Sequence, residues 1–464
     1  MRMKIFRNLC VLALALLAVR AGVAGGGDAQ DYRPFVDKVR EAGLAGERAY
    51  ALLEKIVSVG PRLTGSPQAA AAVDLTRGLM EELGLARVHT EPVEVGHWTR
   101  GRIAEASVAA TPSRAAIPLA VCALGGSVGT PGQGIIAPVV EVHSLAEAAS
   151  LGAAAKGKIV FFNRAMDRRT ADSFAAYGAA ADQRVGGASA AARSGAAAVL
   201  VRSLTFREDR NPHTGMLRYD PDAPAIPAAA IATADADLLS ALIKKDRTIA
   251  VSLRLDCRNE GKVLSANVVG EITGSELRSE IVLLGGHLDS WDLGVGAHDD
   301  AAGCAAAIEA LALLRDLGLR PRRTIRAVLF MDEEFGGTGG RAYAAAPERK
   351  GERHLVAAES DRGGFVPTGL AFGRDPKDLE RIAPYADLLK PFGVSFVVPG
   401  GGGVDVGPLI AKGACPAAVL VNAQTYFDVH HSALDTAASV KPRELELQAV
   451  ILAVLAYVLA QEGL

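Results

Sequence analysis

Long runs of lysine or arginine are missing from this chain, and its 50 basic side chains meet 52 acidic ones for a formal net charge of -2. Without a basic stripe there is no electrostatic footprint for a nucleic acid, so small molecules or neutral peptides are the substrates to expect. Aromatic residues are few, at 5%, yet half of the chain is hydrophobic and can bury a sizeable interior. Beyond residue 24 no uninterrupted apolar run reaches membrane-spanning length, so the rest of the chain is expected to be soluble, with no membrane partner once a leader is removed. Cysteine is scarce. Cys10 falls in the leading segment, and Cys122, Cys257, Cys304 and Cys415 remain. An oxidising compartment would permit pairing, but the sequence does not establish that any two backbones approach closely enough, and no disulfide is expected. Internal repeats are absent too. The glycines at 336, 337, 339 and 340 lack the Lys-Ser/Thr ending of a phosphate-binding loop, which argues against nucleotide binding.

The chain opens with Arg2, Lys4 and Arg7, an apolar stretch from Leu9 to Val19, and small residues ending near Ala24. This pattern predicts a secretory signal over 1–24, because the apolar core is too short to span a bilayer comfortably; a short anchor is the alternative. A secreted or periplasmic location follows. At 464 residues the chain exceeds one comfortable hydrophobic core, so two domains are expected. Helical patterns over 34–59 and 68–83 precede an alternating strand at 88–95. From about Thr111 prolines and a turn-rich stretch, 125–134, change the texture, and strands are expected at 158–163 and 196–201. Residues 111–261 therefore read as an inserted accessory domain between the two parts of a catalytic domain, 30–110 and 262–464. The insert holds only His143 and His213 as isolated imidazoles, which are expected at the surface or hydrogen-bonded. After it, strand-like and helix-like runs alternate, the rhythm of an α/β sheet whose ligand sites lie beyond the carboxyl ends of its strands.

Candidate ligands sit just past those strand ends. Gly285-Gly286-His287 closes an apolar strand and puts an imidazole at its mouth. Asp289, two residues on, is placed to accept the other ring N–H of His287 and fix its direction. Asp299, in a small-residue turn, can bridge two cations with its two oxygens, although Asp299 and Asp300 also suit a helix N-cap. In Asp332-Glu333-Glu334 adjacent carboxylates point different ways, so Glu334 can bind a metal while Glu333 moves the proton of an activated water; Asp332 is expected to be solvated. Asp361 and a histidine of the pair His430-His431 complete two environments: His287 with Asp361, Glu334 with the histidine, and Asp299 across both. Glu333 and Asp289 are the catalytic candidates. Tyr426 could steady an oxyanion, though a packed aromatic is the plainer role. Mixed nitrogen and oxygen ligands also suit cobalt or manganese.

Taken in order, His287-Leu288-Asp289-Ser290, Gly296-Ala297-His298-Asp299-Asp300, Glu333-Glu334-Phe335-Gly336, Glu359-Ser360-Asp361 and His431-Ser432-Ala433-Leu434-Asp435 resemble the motifs of the di-zinc exopeptidase family of secreted aminopeptidases and carboxypeptidase Q. In that family the last histidine directly precedes Ser or Thr, which favours His431. Gly60-Pro61-Arg62-Leu63-Thr64-Gly65-Ser66, Trp291 and the Asp299-Asp300 pair are similar to the carboxypeptidase Q branch, while 157–161 and 194–196 resemble a protease-associated domain. The resemblance implies an α/β fold with a mixed central sheet flanked by helices and an inserted, mainly β protease-associated domain. It implies two zinc ions per chain and hydrolysis of dipeptides or short peptides by a bridging hydroxide, with a homodimer suggested by the branch. Carboxypeptidase, dipeptidase and aminopeptidase specificities stay open. A silent binding ectodomain and a single-zinc glutaminyl cyclase-type enzyme are the rivals; the filled ligand positions argue against the first, the insert and bridging motif against the second. One departure is Val404, where relatives often place Ser or Thr before the aspartate.

Overall fold

The computed structural model describes residues 31–463, so the leader expected over 1–24 lies outside the described residues. Two eight-stranded sheets organise the chain. The first runs, edge to edge, Ala86–Thr99, Arg258–Ile272, Arg323–Phe330, Leu277–His287, Arg353–Glu359, Cys415–Val421, Pro367–Phe372 and Phe396–Val398. Four neighbouring strands at its centre, from Arg323–Phe330 to Cys415–Val421, are parallel, and antiparallel strands flank them. Parallel alignment puts the carboxyl ends of these four at one edge of the sheet, with the segments carrying His287, Glu333-Glu334, Asp361 and His431 leaving from there.

The local reasons lie in side-chain pattern and size. Leu277–His287 is buried from Ile281 onward and Arg323–Phe330 from Thr324 onward, largely apolar runs suited to strands covered on both faces, with the charge of Arg326 met by Glu271 and Glu352. One cover is the alanine-rich helix Ala302–Asp316, buried from Ala302 to Leu314. Its approach leaves no room for a side chain at Gly286, where a Cβ would lie 2.8 Å from the backbone nitrogen of Cys304. Beside it runs Pro442–Glu462, a helix long and apolar enough to cross a membrane by length and composition; 83% of its apolar window is buried inside the fold, the burial of a core helix.

The second sheet runs Ile117–Leu119, Ala104–Val108, Ala250–Leu255, Ile135–Val142, Ile159–Phe162, Ala198–Arg202, Ala228–Ile231 and Val121–Ala123. It takes in Ala104–Val108, ahead of the change in texture at Thr111, because that strand pairs with Ala250–Leu255. The helices Ser173–Arg193 and Thr233–Lys245 accompany it, more helix than a mainly β segment was expected to carry. In the first sheet's part of the chain the helical run at 34–59 is two helices, Arg33–Gly43 and Arg48–Val57. Pro367–Phe372 is a strand that the pattern did not suggest, since Pro367 and Gly369 dilute its strand propensity. All four described cysteines are free.

The motif at 60–66 has a structural task. Arg62 is fully buried, and its guanidinium donates to the carbonyls of Leu288 at 2.6 Å, Val295 at 2.5 Å and Gly296 at 2.9 Å, holding the loop between Leu277–His287 and the next helix. Burial pushes the guanidinium pKa down, and carbonyl oxygens rather than a carboxylate satisfy it. Replacing it by Met should strand three buried acceptors, each worth about 1–3 kcal/mol. Urea unfolding of Arg62→Met should therefore show a loss of more than about 3 kcal/mol at unchanged m; a loss below about 1 kcal/mol would contradict the role.

Candidate metal centre

The five residues singled out by the sequence converge. His287 Nε2 lies 3.1 Å from Asp299 Oδ1 and 3.6 Å from Asp361 Oδ1. On the far side of the same carboxylate, His431 Nε2 is 3.2 Å from Asp299 Oδ2 and 3.1 Å from Glu334 Oε2. Asp299 thus stands between two imidazoles with one oxygen toward each. Ligand atoms of His287, Asp299 and Asp361 lie within 4.8 Å of one another, as do those of Asp299, His430 and His431. His430 is the rival: its ring stacks on His431 at 3.5 Å, and its Nε2 is 3.6 Å from Asp299. Only His431 reaches Glu334 as well as Asp299.

Proton placement tests whether cations fit. The backbone carbonyl of Asp289 lies 2.9 Å from His287 Nδ1, so that nitrogen carries the proton and Nε2 is left as an acceptor. Nε2 then faces Asp299 Oδ1 acceptor to acceptor, a repulsive contact unless a cation or proton sits between them. Asp299 Oδ2, Glu334 Oε1 and Asp361 Oδ1 are buried with no hydrogen-bond partner. Burial pushes the carboxyls of Glu333, Glu334 and Asp361 up from their usual range, the signature of anions removed from water. Asp299 is buried as well, but hydrogen bonds from protonated His287 and His431, whose protons stand where a cation would, outweigh burial and hold its carboxyl well below the usual range. Nitrogen and oxygen donors with orphaned lone pairs suit divalent cations.

Several neighbours take roles that differ from those expected. The carboxylate of Asp289 is 3.8 Å from His287 Nδ1 and does not orient the ring; the carbonyl of the same residue does. The carboxylate instead accepts the backbone N–H groups of Asp332 at 2.8 Å, Glu333 at 3.1 Å and Glu334 at 3.3 Å, and the hydroxyl of Thr64 at 2.7 Å. It therefore anchors the turn that aims Glu333 and Glu334. Asp332 is not solvated: it is buried at a positive φ of 77°, and burial pushes its carboxyl up to about 7. Asp300 accepts from the backbone of His287 and of Gly303, a helix-start role. Tyr426 is buried among Phe174, Phe365 and Phe427, the packed-aromatic alternative, with its ring in the wall of the cavity.

Other contributors had no role assigned from the sequence, although Asp435 closes the last motif. Asp435 accepts the backbone N–H groups of His298 at 2.7 Å and Asp299 at 3.1 Å, fixing the segment that carries Asp299 from a distant part of the chain. His213 is buried, with Nδ1 2.6 Å from the carbonyl of His430, and the Thr214 N–H donates to the His431 carbonyl at 2.9 Å. These bonds secure a turn in which His431 adopts φ of 58°. His143, by contrast, is exposed. A cavity of about 430 Å³ opens over the centre, and Phe174, Tyr177, Arg184, Met216 and Arg218 give it a wall from the second sheet's segment.

Residues 267–457 match Peptidase family M28. Carboxypeptidase Q of Bos taurus is 38% identical over 419 residues, covering 90% of this chain and 86% of that protein. The human carboxypeptidase Q is 37% identical over the same shares. Among solved structures, a peptidase M28 precursor from Shewanella amazonensis superposes with a TM-score of 0.88 at 37% identity, covering 93% of this chain and 97% of that one. A zinc aminopeptidase from Bacillus subtilis shares the fold, with a TM-score of 0.66 at 19% identity over 90% of this chain and 96% of its own.

Because Asp289 holds the Glu333-Glu334 turn through three amides, Asp289→Asn should turn amide hydrogens toward donors and loosen the centre. Retention of divalent cations, followed by competition with a chromogenic chelator, should weaken about 10–100-fold. The exposed-site control His143→Gln should leave it unchanged, and equal retention in both variants would refute the anchoring role.

Proposed function

Because this chain belongs to peptidase family M28, we propose that it is an exported metalloexopeptidase that holds two zinc ions and hydrolyses dipeptides or short peptides. The observation that carries this reading is Asp299, standing between two imidazoles with buried, unpartnered acceptor atoms around it. His287 and Asp361 would hold one ion, Glu334 and His431 the other, and Asp299 would span both. When bound, the ions would supply a water acidic enough to act near neutral pH and offset the charge that develops on the substrate carbonyl oxygen.

The chain's own residues carry the remaining work. Glu333 projects into the cavity and is not needed as a ligand, so it is free to act as general base. It takes the proton of the attacking water and passes it to the leaving amine, two transfers served by one carboxylate whose pKa burial has raised. Asp289 keeps Glu333 and Glu334 in register, and Asp435 keeps Asp299 between the imidazoles. The aromatic wall of Phe174, Tyr177 and Tyr426 limits water and offers an apolar surface to a substrate side chain.

Glu333→Gln should lower kcat by at least about 10²-fold while the purified protein keeps its zinc, measured by elemental analysis beside a dipeptide assay. Wild-type turnover in that variant would remove Glu333 as the base. His431→Ala should lower bound zinc below two per chain, whereas His430→Ala should retain both ions. The reverse result would transfer the ligand role to His430. A wild-type protein that binds no zinc would point to the binding-ectodomain alternative.

A further inference from the structure

The crossing from one sheet to the other carries an arginine that stands outside the cavity lining yet reaches both sides of the centre. Arg100 follows the strand Ala86–Thr99 and precedes Ala104–Val108, and its side chain is 10% exposed. Its guanidinium stacks on the ring of Trp98, 5.1 Å from the centroid, and sends its donors in two directions. Nε and Nη2 donate to Asp292 at 2.6 to 2.9 Å, in the loop that follows His287. Nη1 donates to the carbonyl of Ala123, and Nη2 to the hydroxyl of Thr214 at 3.2 Å, both in the second sheet's segment. The Thr214 hydroxyl passes its own proton to the Ala123 carbonyl at 3.0 Å. The hydroxyl is thus held as acceptor and as donor at once.

Thr214 is where this network meets a candidate ligand. It is 1% exposed, its N–H donates to the His431 carbonyl, and its own carbonyl lies 3.4 Å from His431 Nδ1. That carbonyl stands behind the His431 ring as the carbonyl of Asp289 stands behind His287. A ring whose Nδ1 faces a carbonyl presents Nε2 as its ligand atom, so a shift of the carbonyl turns Nε2 away from Asp299 and Glu334. Thr214 has little stiffness of its own, because Gly215 follows at φ 132°. Arg184 Nη1 touches the Thr214 carbonyl only at 3.5 Å, too long to fix it. We propose that Arg100 is a positioning residue for His431: held by Asp292, it pins Thr214, and Thr214 aims the imidazole that would share an ion with Glu334. This inference rests on the two-ion reading and makes one ion, rather than both, depend on the junction between the sheets. The His287 side has supports that do not run through Thr214, in the Asp289 carbonyl, Asp300 and Arg62.

The test uses the full zinc-loaded chain and a chromogenic chelator. In Arg100→Gln one ion should lose about 10–100-fold in affinity while the other keeps its wild-type value. Arg100→Lys should recover part of the loss, since it keeps the charge beside Asp292 without the planar fork. Thr214→Val removes the hydroxyl and keeps the backbone; it should weaken the same ion, and adding Arg100→Gln to it should cost less than the two single changes together. Arg323→Gln is the control for lost stability alone. Arg323 is 12% exposed and likewise serves one carboxylate, Glu280, and two carbonyls, but at the far end of its strand, so this variant should lower Tm and leave both ions unchanged. Parallel loss of both ions, unchanged affinity in Arg100→Gln, or full additivity overturns the proposal. A second readout needs no ion. Exchange of the Thr214 amide hydrogen, followed by mass spectrometry in the metal-free chain, should quicken at least about tenfold in Arg100→Gln and not in Arg323→Gln. If wild type binds no zinc, the two-ion reading fails, and faster exchange at Thr214 still supports the positioning role while unchanged exchange removes it. Should Arg100→Gln not fold, Thr214→Val and Arg100→Lys decide the matter by the same measurements.

Discussion

Two imidazoles press on one carboxylate from opposite sides, and this contact at Asp299 organises the rest of the structure. Separations of 3.1 and 3.2 Å between nitrogen and oxygen acceptors, inside a buried pocket shared with Glu334 and Asp361, are repulsive unless positive charge lies between them. The parallel strands at the centre of the first sheet make the arrangement possible, because they deliver His287, the Glu333-Glu334 turn, Asp361 and the segment leading to His431 to one edge. The alanine-rich helix behind Gly286 lets the backbone approach closely enough for Asp300 to take the amide of His287.

Around that contact lies a second group of acids whose work is mechanical. Asp289, Asp300 and Asp435 spend their oxygens on backbone N–H groups of the segments bearing the candidate ligands. Amide donors are weaker compensation than a cation, yet they are fixed in direction, so each carboxylate converts its burial into a defined loop geometry. The motif at 60–66 belongs to the same group. Arg62 ties down three carbonyls of the loop after His287, and Thr64 donates to Asp289. A loop-borne site acquires in this way the rigidity that positioning of reacting groups demands.

The second sheet's segment completes the pocket without offering a candidate ligand. Through His213 and Thr214 it secures the His430-His431 turn, and through Phe174, Tyr177 and Arg184 it closes one side of the cavity. Trp291, at 5.6 Å from the ring of His431, packs into this segment's core where Gly125 has no side chain to obstruct it. The first sheet therefore supplies the candidate ligands, and the second shapes the cavity above them.

Local periodicity and side-chain chemistry made much of this legible. Buried parallel strands show as largely apolar runs, their ends are marked by glycine and acid, and candidate ligands were recognisable because imidazoles and carboxylates seldom cluster past several strand ends without a task. Residue type and order thus determined the α/β class and the converging set of His287, Asp299, Glu334, Asp361 and a histidine of the pair at 430–431. Folding in three dimensions decided the rest. Whether a carboxylate faces an imidazole across the pocket, as Glu334 does, or grips amides, as Asp289 and Asp435 do, depends on which N–H groups come within about 3 Å of it, and those lie 43 to 137 residues away along the chain. Arg184 likewise has an ordinary helical position in the sequence; only the packing of one sheet against the other's strand ends buries its charge, withholds a partner and turns it toward the pocket.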